Sequence, residues 1–565
     1  MCFLLLEGIQ IVILSFFILR YRDMQWIAKF FTLICLLNCM PCVLLQAGEK
    51  GSKRVFTFRL QTEPETLDWN RAHTPLETYL LMNLMEGLLR LDSNLHTVPG
   101  LAESWTVSAD RKVYTFHIRP GVKWSDGSIL KAQDFVYSWK RLLSPETAAA
   151  YAYFLYDVVG AKEFNQGKLQ SFDQVGISAV DSLTLQVKLV QPVSYWPYIT
   201  TFWVTFPLRQ EVVEKQGPRW EASQKLVTLG PYLLDRHEFN SKFMMTANPN
   251  YYGKRGNADE LVGQIVADDA TALSLYEAGT LDFLSDISTV DLKRLEGRAD
   301  LKVFPYLKTV YLGFVLNQAS VLDVHMRRAI AGAIDKTQFV QILKGGQESA
   351  TSFLPTSLRK SFGLDTQSDG VGVPYGLTQA RLEFAQSKVK PAKLTMTLPA
   401  FDKSLLVGQI IQASLKKNLG IDLELQSWDN KAYRTRLDQK INPVFLASWS
   451  GDYPDPDNFF SVFLGASGNN RTSWRNGRFD EGVSQARHAS SLSERKKHYL
   501  KLDEILLRDD VVIIPLYYEP NLALVRPRVK NLELNALNYL NLKDMNLKDM
   551  NLSLPINPAD PLPGN

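Results

Sequence analysis

The chain runs for 565 residues without a stretch rich in glycine, serine or proline long enough to serve as a flexible linker. A single hydrophobic core stops growing well short of this length, so two or three domains are expected. Domains laid end to end are normally joined by exposed, linker-like sequence. Its absence points to domains built from separated segments, with the chain passing between them more than once. Internal repetition offers no other route: Asn541-Leu542-Lys543-Asp544-Met545 is copied as residues 546–550, too short a unit to stack as a solenoid.

From Val55 onward, strand and helix signals are interspersed. Alternating or apolar runs predict strands over 55–60, 112–118, 393–398, 422–427, 443–449 and 511–517. Apolar spacing of three and four predicts helices over 78–89, 134–143, 324–334, 378–386, 405–418 and 493–508, with Asp134 placed as a capping acid. Turn signals at Pro120-Gly121 and Ser125-Asp126-Gly127 separate strand from helix. The mixture reads as α/β or α+β.

All four cysteines, Cys2, Cys35, Cys39 and Cys42, precede this region, which suits a chain that works in an oxidising compartment with no stray thiol to mispair. They fall in two apolar runs, 2–19 and 27–45, separated by Arg20-Tyr21-Arg22. From Met24 the order is that of an export signal: Lys29, then the apolar 30–37, then small Ala47 as a cleavage position. Residues 1–47 are therefore expected to be a leader, with Met24 as the true start. The alternatives are lipid attachment at Cys39 or Cys42, where Asn38 and Pro41 match a lipid-attachment box poorly, and a retained anchor. No later run has membrane-spanning length, so the body is expected to be soluble. A formal charge of +4, with acids and bases intermixed, argues against a nucleic-acid partner.

Chemistry concentrates in residues 448–460, "SWSGDYPDPDNFF", where Asp452, Asp455 and Asp457 stand among aromatics and two prolines. Such acids can form a glycosidase-like acid and base pair, a turn, or a receptor for a cationic group. The seven histidines include no pair three or four apart on one helical face, so no metal centre is expected. No Gly-x-Ser-x-Gly elbow, no phosphate-cradling glycine loop and no cysteine beyond residue 42 is present, and no cofactor is expected. An enzyme would have to work with carboxylates.

Several segments together resemble one family. They are Leu67-Asp68; Asn83-Leu84-Met85-Glu86-Gly87-Leu88; Leu101-Ala102-Glu103-Ser104-Trp105; 114–127, "YTFHIRPGVKWSDG"; 132–142, "AQDFVYSWKRL"; Asp323-Val324-His325-Met326-Arg327-Arg328-Ala329-Ile330; and Ala333-Ile334-Asp335. In this order, and with Trp449-x-x-Asp452-Tyr453-x-Asp455-Pro456, the chain resembles the large peptide-binding receptors of ATP-driven importers, solute-binding family 5, over about residues 55–525. The resemblance implies a two-lobed periplasmic-binding-protein fold of type II with an additional domain. Its implied parts are a first lobe from 48–85, 210–307 and 521–565, an extra domain over 86–209, and a second lobe over 308–520. It further implies a monomeric periplasmic receptor of a Gram-negative-type bacterium, without enzymatic activity. Such a receptor delivers short peptides to an inner-membrane permease and its ATPase.

By this likeness Asp452 pairs with the ligand's α-amino group, while Trp449, Trp428 and Tyr151 wall side-chain pockets. The strand over 443–449 would bond the peptide backbone by adding it as a further strand. Ser448, Gly451 and Tyr453 flank these positions and complete the candidate site. The chain also departs from the pattern: His73 stands where an oligopeptide receptor has a second acid, and Leu446 where it has an arginine near the peptide carboxylate. Lys431, Arg434 and Arg436 are nearby cations, more simply read as exposed helix-face charges. Other solutes, nickel chelates, haem and sugars, are the alternative ligands within the family, and a secreted glycosidase is the alternative outside it.

Overall fold

The computed structural model describes residues 53–548 except 223–225 and 365–370. The expected leader with Met24 and the cysteines, and the end of the second repeat copy, lie outside the described residues. Three sheets carry the architecture. The first has seven strands, ordered Leu301–Phe304, Asn521–Val525, Phe283–Ser285, Val55–Leu60, Glu260–Ile265, Lys242–Ala247 and Tyr232–Glu238. Val55–Leu60 is its middle strand, parallel to both neighbours, and buries Phe56, Phe58 and Leu60 completely. The segments that build this sheet therefore come from the beginning, the middle and the end of the chain.

The second sheet has six strands, ordered Glu348–Ser349, Ile513–Tyr518, Lys308–Phe314, Val444–Ser450, Lys393–Pro399 and Asp422–Trp428. Lys308–Phe314 and Ile513–Tyr518 are almost wholly buried, and after Lys308 and Thr309 their sequences are apolar. A third, antiparallel sheet joins Ala102–Val107, Val113–Ile118, Thr184–Lys188 and Ile177–Asp181. Helix Ala132–Leu143 packs on it and turns Trp139 inward, where its indole N–H donates to Thr205 O at 2.8 Å. Fully buried Asp68 takes both terminal nitrogens of Arg141 at 2.5 and 2.8 Å, tying the segment after the first strand to this helix.

The strand predictions hold to within one or two residues. Three helix starts differ, and the helix expected over 405–418 begins three residues earlier, at Asp402. The helix expected over 78–89 occupies Pro75–Leu84, because Pro75 suits a first turn and the Glu77 carboxylate accepts the N–H groups of His73 and Thr74 at 2.9 and 2.7 Å. Asp134 is not the residue before its helix: it lies in the first turn and reaches back to accept the Lys131 N–H at 3.0 Å. The two repeat copies are not equivalent, since Asn541 pairs with Glu533 and Asn546 with Lys530. Among the described residues no helix is long and apolar enough to cross a membrane.

Candidate functional site

Val444–Ser450 is hydrogen-bonded along its whole length to Lys308–Phe314, but on its other side only Val444 and Phe445 pair, with Met396 and Thr397. Residues 446–450 thus project as a sheet edge. The ladder fixes which groups point outward. Gly451 N–H donates to Leu307 O and Val315 N–H to Pro443 O, so odd-numbered residues face the neighbouring strand. The N–H and C=O of Ser448 and Ser450 consequently face away from it. The tyrosine hydroxyl of Tyr433 donates to Leu446 O at 2.6 Å, occupying one group of the same edge.

Just past this strand the three acids separate. Asp455, fully buried, receives Arg495 Nη2 on both oxygens at 2.8 and 2.9 Å and the Tyr499 hydroxyl at 3.2 Å. Burial pushes its carboxyl up, and the Arg495 charge works against that shift. Asp457, also fully buried, receives Arg487 Nε at 2.6 Å and Nη2 at 3.1 Å, together with the Tyr453 hydroxyl at 3.1 Å. These two are neither simple turn residues nor a free acid and base pair; they are the anchors of buried ion pairs. Within the 452–457 cluster Asp452 is thereby left without a second free acid, although Asp157, which accepts from the Tyr195 hydroxyl at 2.8 Å, lines the same cavity as Asp452.

Asp452 differs. Among the described residues it has no cationic partner, and it lines a cavity of about 370 Å³. It keeps part of its surface open, yet it is enclosed enough that burial pushes its carboxyl up to about 6, opposed by a bond from the Asn458 side chain. Asn458 is the organiser: its Oδ1 accepts both the Asp452 N–H at 3.0 Å and the Trp449 indole N–H at 3.2 Å. The wall opposite is aromatic. Tyr453 lies on Tyr195 with ring centres 5.1 Å apart, and Phe154 meets Tyr453 edge-on at 6.0 Å. A second cavity, about 500 Å³, runs along the free edge past Leu446, Ala447 and Ser448 and shares Trp449 and Asn469 with the first.

Of the residues expected from sequence, Asp452, Trp449, Ser448 and Tyr453 line these two cavities. Gly451 lines neither; it backs the site, where an added Cβ would stand 3.1 Å from the Phe459 ring. Tyr151 sits one layer behind Tyr153 and Phe154, in ring contact with both. It is near enough that its hydroxyl is raised by burial first and the Asp452 charge second. Trp428 lines neither cavity and is covered by the Arg436 guanidinium, 3.6 Å from its ring centre. His73 lines neither; its ring is 3.7 Å from the Glu65 carboxylate, and Glu65, His73 and Glu77 offer atoms within 4.8 Å of one another.

Sequence reasoning missed Asn458, Tyr195 and Glu77. Glu77 is fully buried with one carboxylate oxygen unpartnered, and its charge also reaches Tyr151. The spacing Thr74-x-x-Glu77 was a legible capping signal, whereas nothing local distinguishes Asn458 from an ordinary polar residue.

Comparison with known proteins adds a family. The model of the bacterial extracellular solute-binding proteins, family 5, matches residues 96–471. The chain is 30% identical over 493 residues to the periplasmic oligopeptide-binding protein OppA of Salmonella typhimurium, covering 83% of this chain and 88% of that protein. It is 27% identical over 507 residues to a probable deoxycholate-binding periplasmic protein, YgiS, of Escherichia coli, covering 87% and 93%. The crystal structure of Haemophilus influenzae OppA in complex with the peptide RPPGFSPFR superposes with a TM-score of 0.70 at 27% identity, over 88% of this chain and 99% of that one.

Proposed function

Because the chain belongs to the bacterial extracellular solute-binding proteins of family 5, with their two-lobed α/β fold, we propose that it is a receptor that encloses short peptides and passes them to an ATP-driven importer. One observation carries the peptide reading. Among the described residues Asp452 is the single acid of its cluster without a cation, and it stands at the end of a strand whose outward N–H and C=O groups over 446–450 have no neighbouring strand. An extended peptide supplies both complements, an ammonium for the carboxylate and a backbone for the edge. Trp449 and the tyrosines beside it offer flat surfaces without a fixed polar code, which suits many side chains.

The three sheets support a division of the receptor into parts. We place the first lobe on the seven-stranded sheet, from 48–85, 210–307 and 521–565; the second on the six-stranded sheet, 308–520; and the extra domain on 86–209. The protein acts as a monomer outside the cytoplasm, reached through the leader, and performs no chemistry on its ligand. Its partners are the permease and ATPase of the importer.

Isothermal titration with peptides of three to six residues tests this reading. Asp452→Asn is expected to weaken binding by about 2–5 kcal/mol, on the order of 30- to 5,000-fold, and N-acetylation of the peptide to cost the parent a similar factor. Equal binding by parent and variant would remove Asp452 from the site. Co-purified bile acid, metal chelate or sugar in place of peptide, identified by mass spectrometry, would transfer the receptor to another ligand class.

A further inference from the structure

Glu65, His73 and Glu77 line neither cavity. They come together where the segment after the first strand meets the helix Pro75–Leu84, and each offers one ligand atom within 4.8 Å of the others. Exposed acids often gather with no ligand, so proximity alone decides nothing. Two further features do.

The first is Glu77, which is fully buried and uses its two oxygens unequally. Oε2 accepts the N–H groups of His73 and Thr74 at 2.9 and 2.7 Å, whereas Oε1 is buried with no hydrogen-bond partner among the described residues. A helix cap accounts for the first oxygen and not for the second. An acceptor withdrawn from water and left unbonded is costly unless a water or an ion meets it.

The second is His73. Its Nδ1 lies 3.3 Å from Arg71 O, and a carbonyl only accepts, so this bond needs the ring proton on Nδ1. The lone pair is then on Nε2, which is 3.7 Å from a Glu65 oxygen. Two acceptors that face each other in this way call for a cation to share. A carbonyl on the other ring nitrogen is also how metal-binding histidines are oriented. Ligands about 2.1 Å from a tetrahedral ion stand roughly 3.4 Å apart, close to the separation here. The loop is held in place besides: Ala72 O accepts the buried Trp203 indole N–H at 3.0 Å. Glu65, the most exposed of the three, is the ligand able to swing inward.

We infer that Glu65, His73 and Glu77 form a site for a divalent transition-metal ion of the zinc type. One imidazole nitrogen and two carboxylates are a donor set that such an ion takes, with a fourth position left to water, whereas calcium and magnesium prefer oxygen throughout. A bound ion pins residues 65–73 to the helix that follows and so stabilises the folded chain. The site is independent of what the receptor encloses and stands or falls apart from the peptide reading. Pairs of histidines are the signal the sequence lacks; here one histidine meets glutamates eight residues before it and four after it.

Calorimetric titration with zinc chloride tests the site in the full chain, its four cysteine thiols first alkylated and stray metal removed with EDTA. The parent is expected to take up one zinc ion and to melt at a higher temperature with it. Cobalt(II) in its place should give the intense visible bands of a four-coordinate ion without sulfur ligands. His73→Gln and Glu65→Gln, each with the metal-free melting temperature of the parent, should bind zinc about tenfold or more weakly. Glu77→Gln keeps an oxygen for the helix cap and should weaken binding likewise. A parent that takes up no zinc overturns the site and leaves a proton as what His73 and Glu65 share. Zinc held equally tightly by the parent and by His73→Gln overturns it as well, because the ion then sits elsewhere.

Discussion

Asp455 and Asp457 on one side, and Asp452 on the other, are separated by a tyrosine and a proline and have opposite fates. The first two are buried against Arg495 and Arg487, each with a tyrosine hydroxyl on the same carboxylate. The third has one amide, no cation among the described residues, and a cavity in front of it. Burial alone therefore does not define a site. A buried acid that is matched within the chain holds structure together; one left unmatched beside free backbone groups keeps a place for something else.

The contrast can be broken most forcefully on its structural side. Arg495→Met leaves Asp455 buried without its cation and is expected to destabilise the fold by about 3–5 kcal/mol in denaturant unfolding. A loss below about 1 kcal/mol would show that the pair is dispensable and the contrast empty. On the binding side, peptide affinity should depend on pH through Asp452. Its carboxyl titrates near 6, so it is ionised above that value and protonated below it, while the peptide ammonium stays charged throughout. Affinity is expected to fall as pH drops through 6, by up to about tenfold per further unit, and Asp452→Asn should abolish the dependence. A flat profile from pH 7 to 4.5 in the parent would remove the ion pair from the binding mode.

The same acid makes an opposite prediction for the empty receptor. Its carboxyl is raised from 3.8 when unfolded to about 6 when folded. The folded state thus holds the proton more tightly, and the associated stability is complete below pH 3.8 and lost as pH rises through 6. At pH 7 the unliganded Asp452→Asn protein, relieved of that charge, is expected to be more stable than the parent by about 0.5–2 kcal/mol. A variant less stable than the parent would mean that Asp452 is structural after all. Smallest is the effect at the edge itself. Tyr433→Phe frees Leu446 O and should cost about 0.5–1.5 kcal/mol of stability.

Much of this was readable in advance because its signals are local. Strands such as Val55–Leu60 and Val113–Ile118 advertise themselves by alternation, and the lack of linkers anticipated segments of one sheet drawn from residues 55, 260, 283 and 521. The candidate site was legible only where a residue's position depends on its neighbours in sequence. Asp452 and Trp449 follow directly from the strand and turn that carry them. Which acids are neutralised depends on arginines 30 and 40 residues further on, and no local pattern announces a guanidinium arriving from another helix. Trp428 shows the same limit from the other side. It is correctly placed at a strand end, but its exposed face is taken by Arg436, eight positions later on the next helix.

The seven-stranded sheet also sets a schedule. Asn521–Val525 lies between Leu301–Phe304 and Phe283–Ser285, hydrogen-bonded to both, and is the last of its strands to leave the ribosome. Until it does, two edges stand unpaired on a half-built layer, and contacts of more than 200 residues' separation must wait. A nascent chain of this kind cannot complete that layer until synthesis is nearly over. The unfinished state is the one a translocation channel threads most easily, so late closure of the sheet and passage across a membrane favour one another. Chains cut after residue 520 are expected to be cleaved rapidly by protease between 283 and 304, and the same segment should be resistant in the full-length protein.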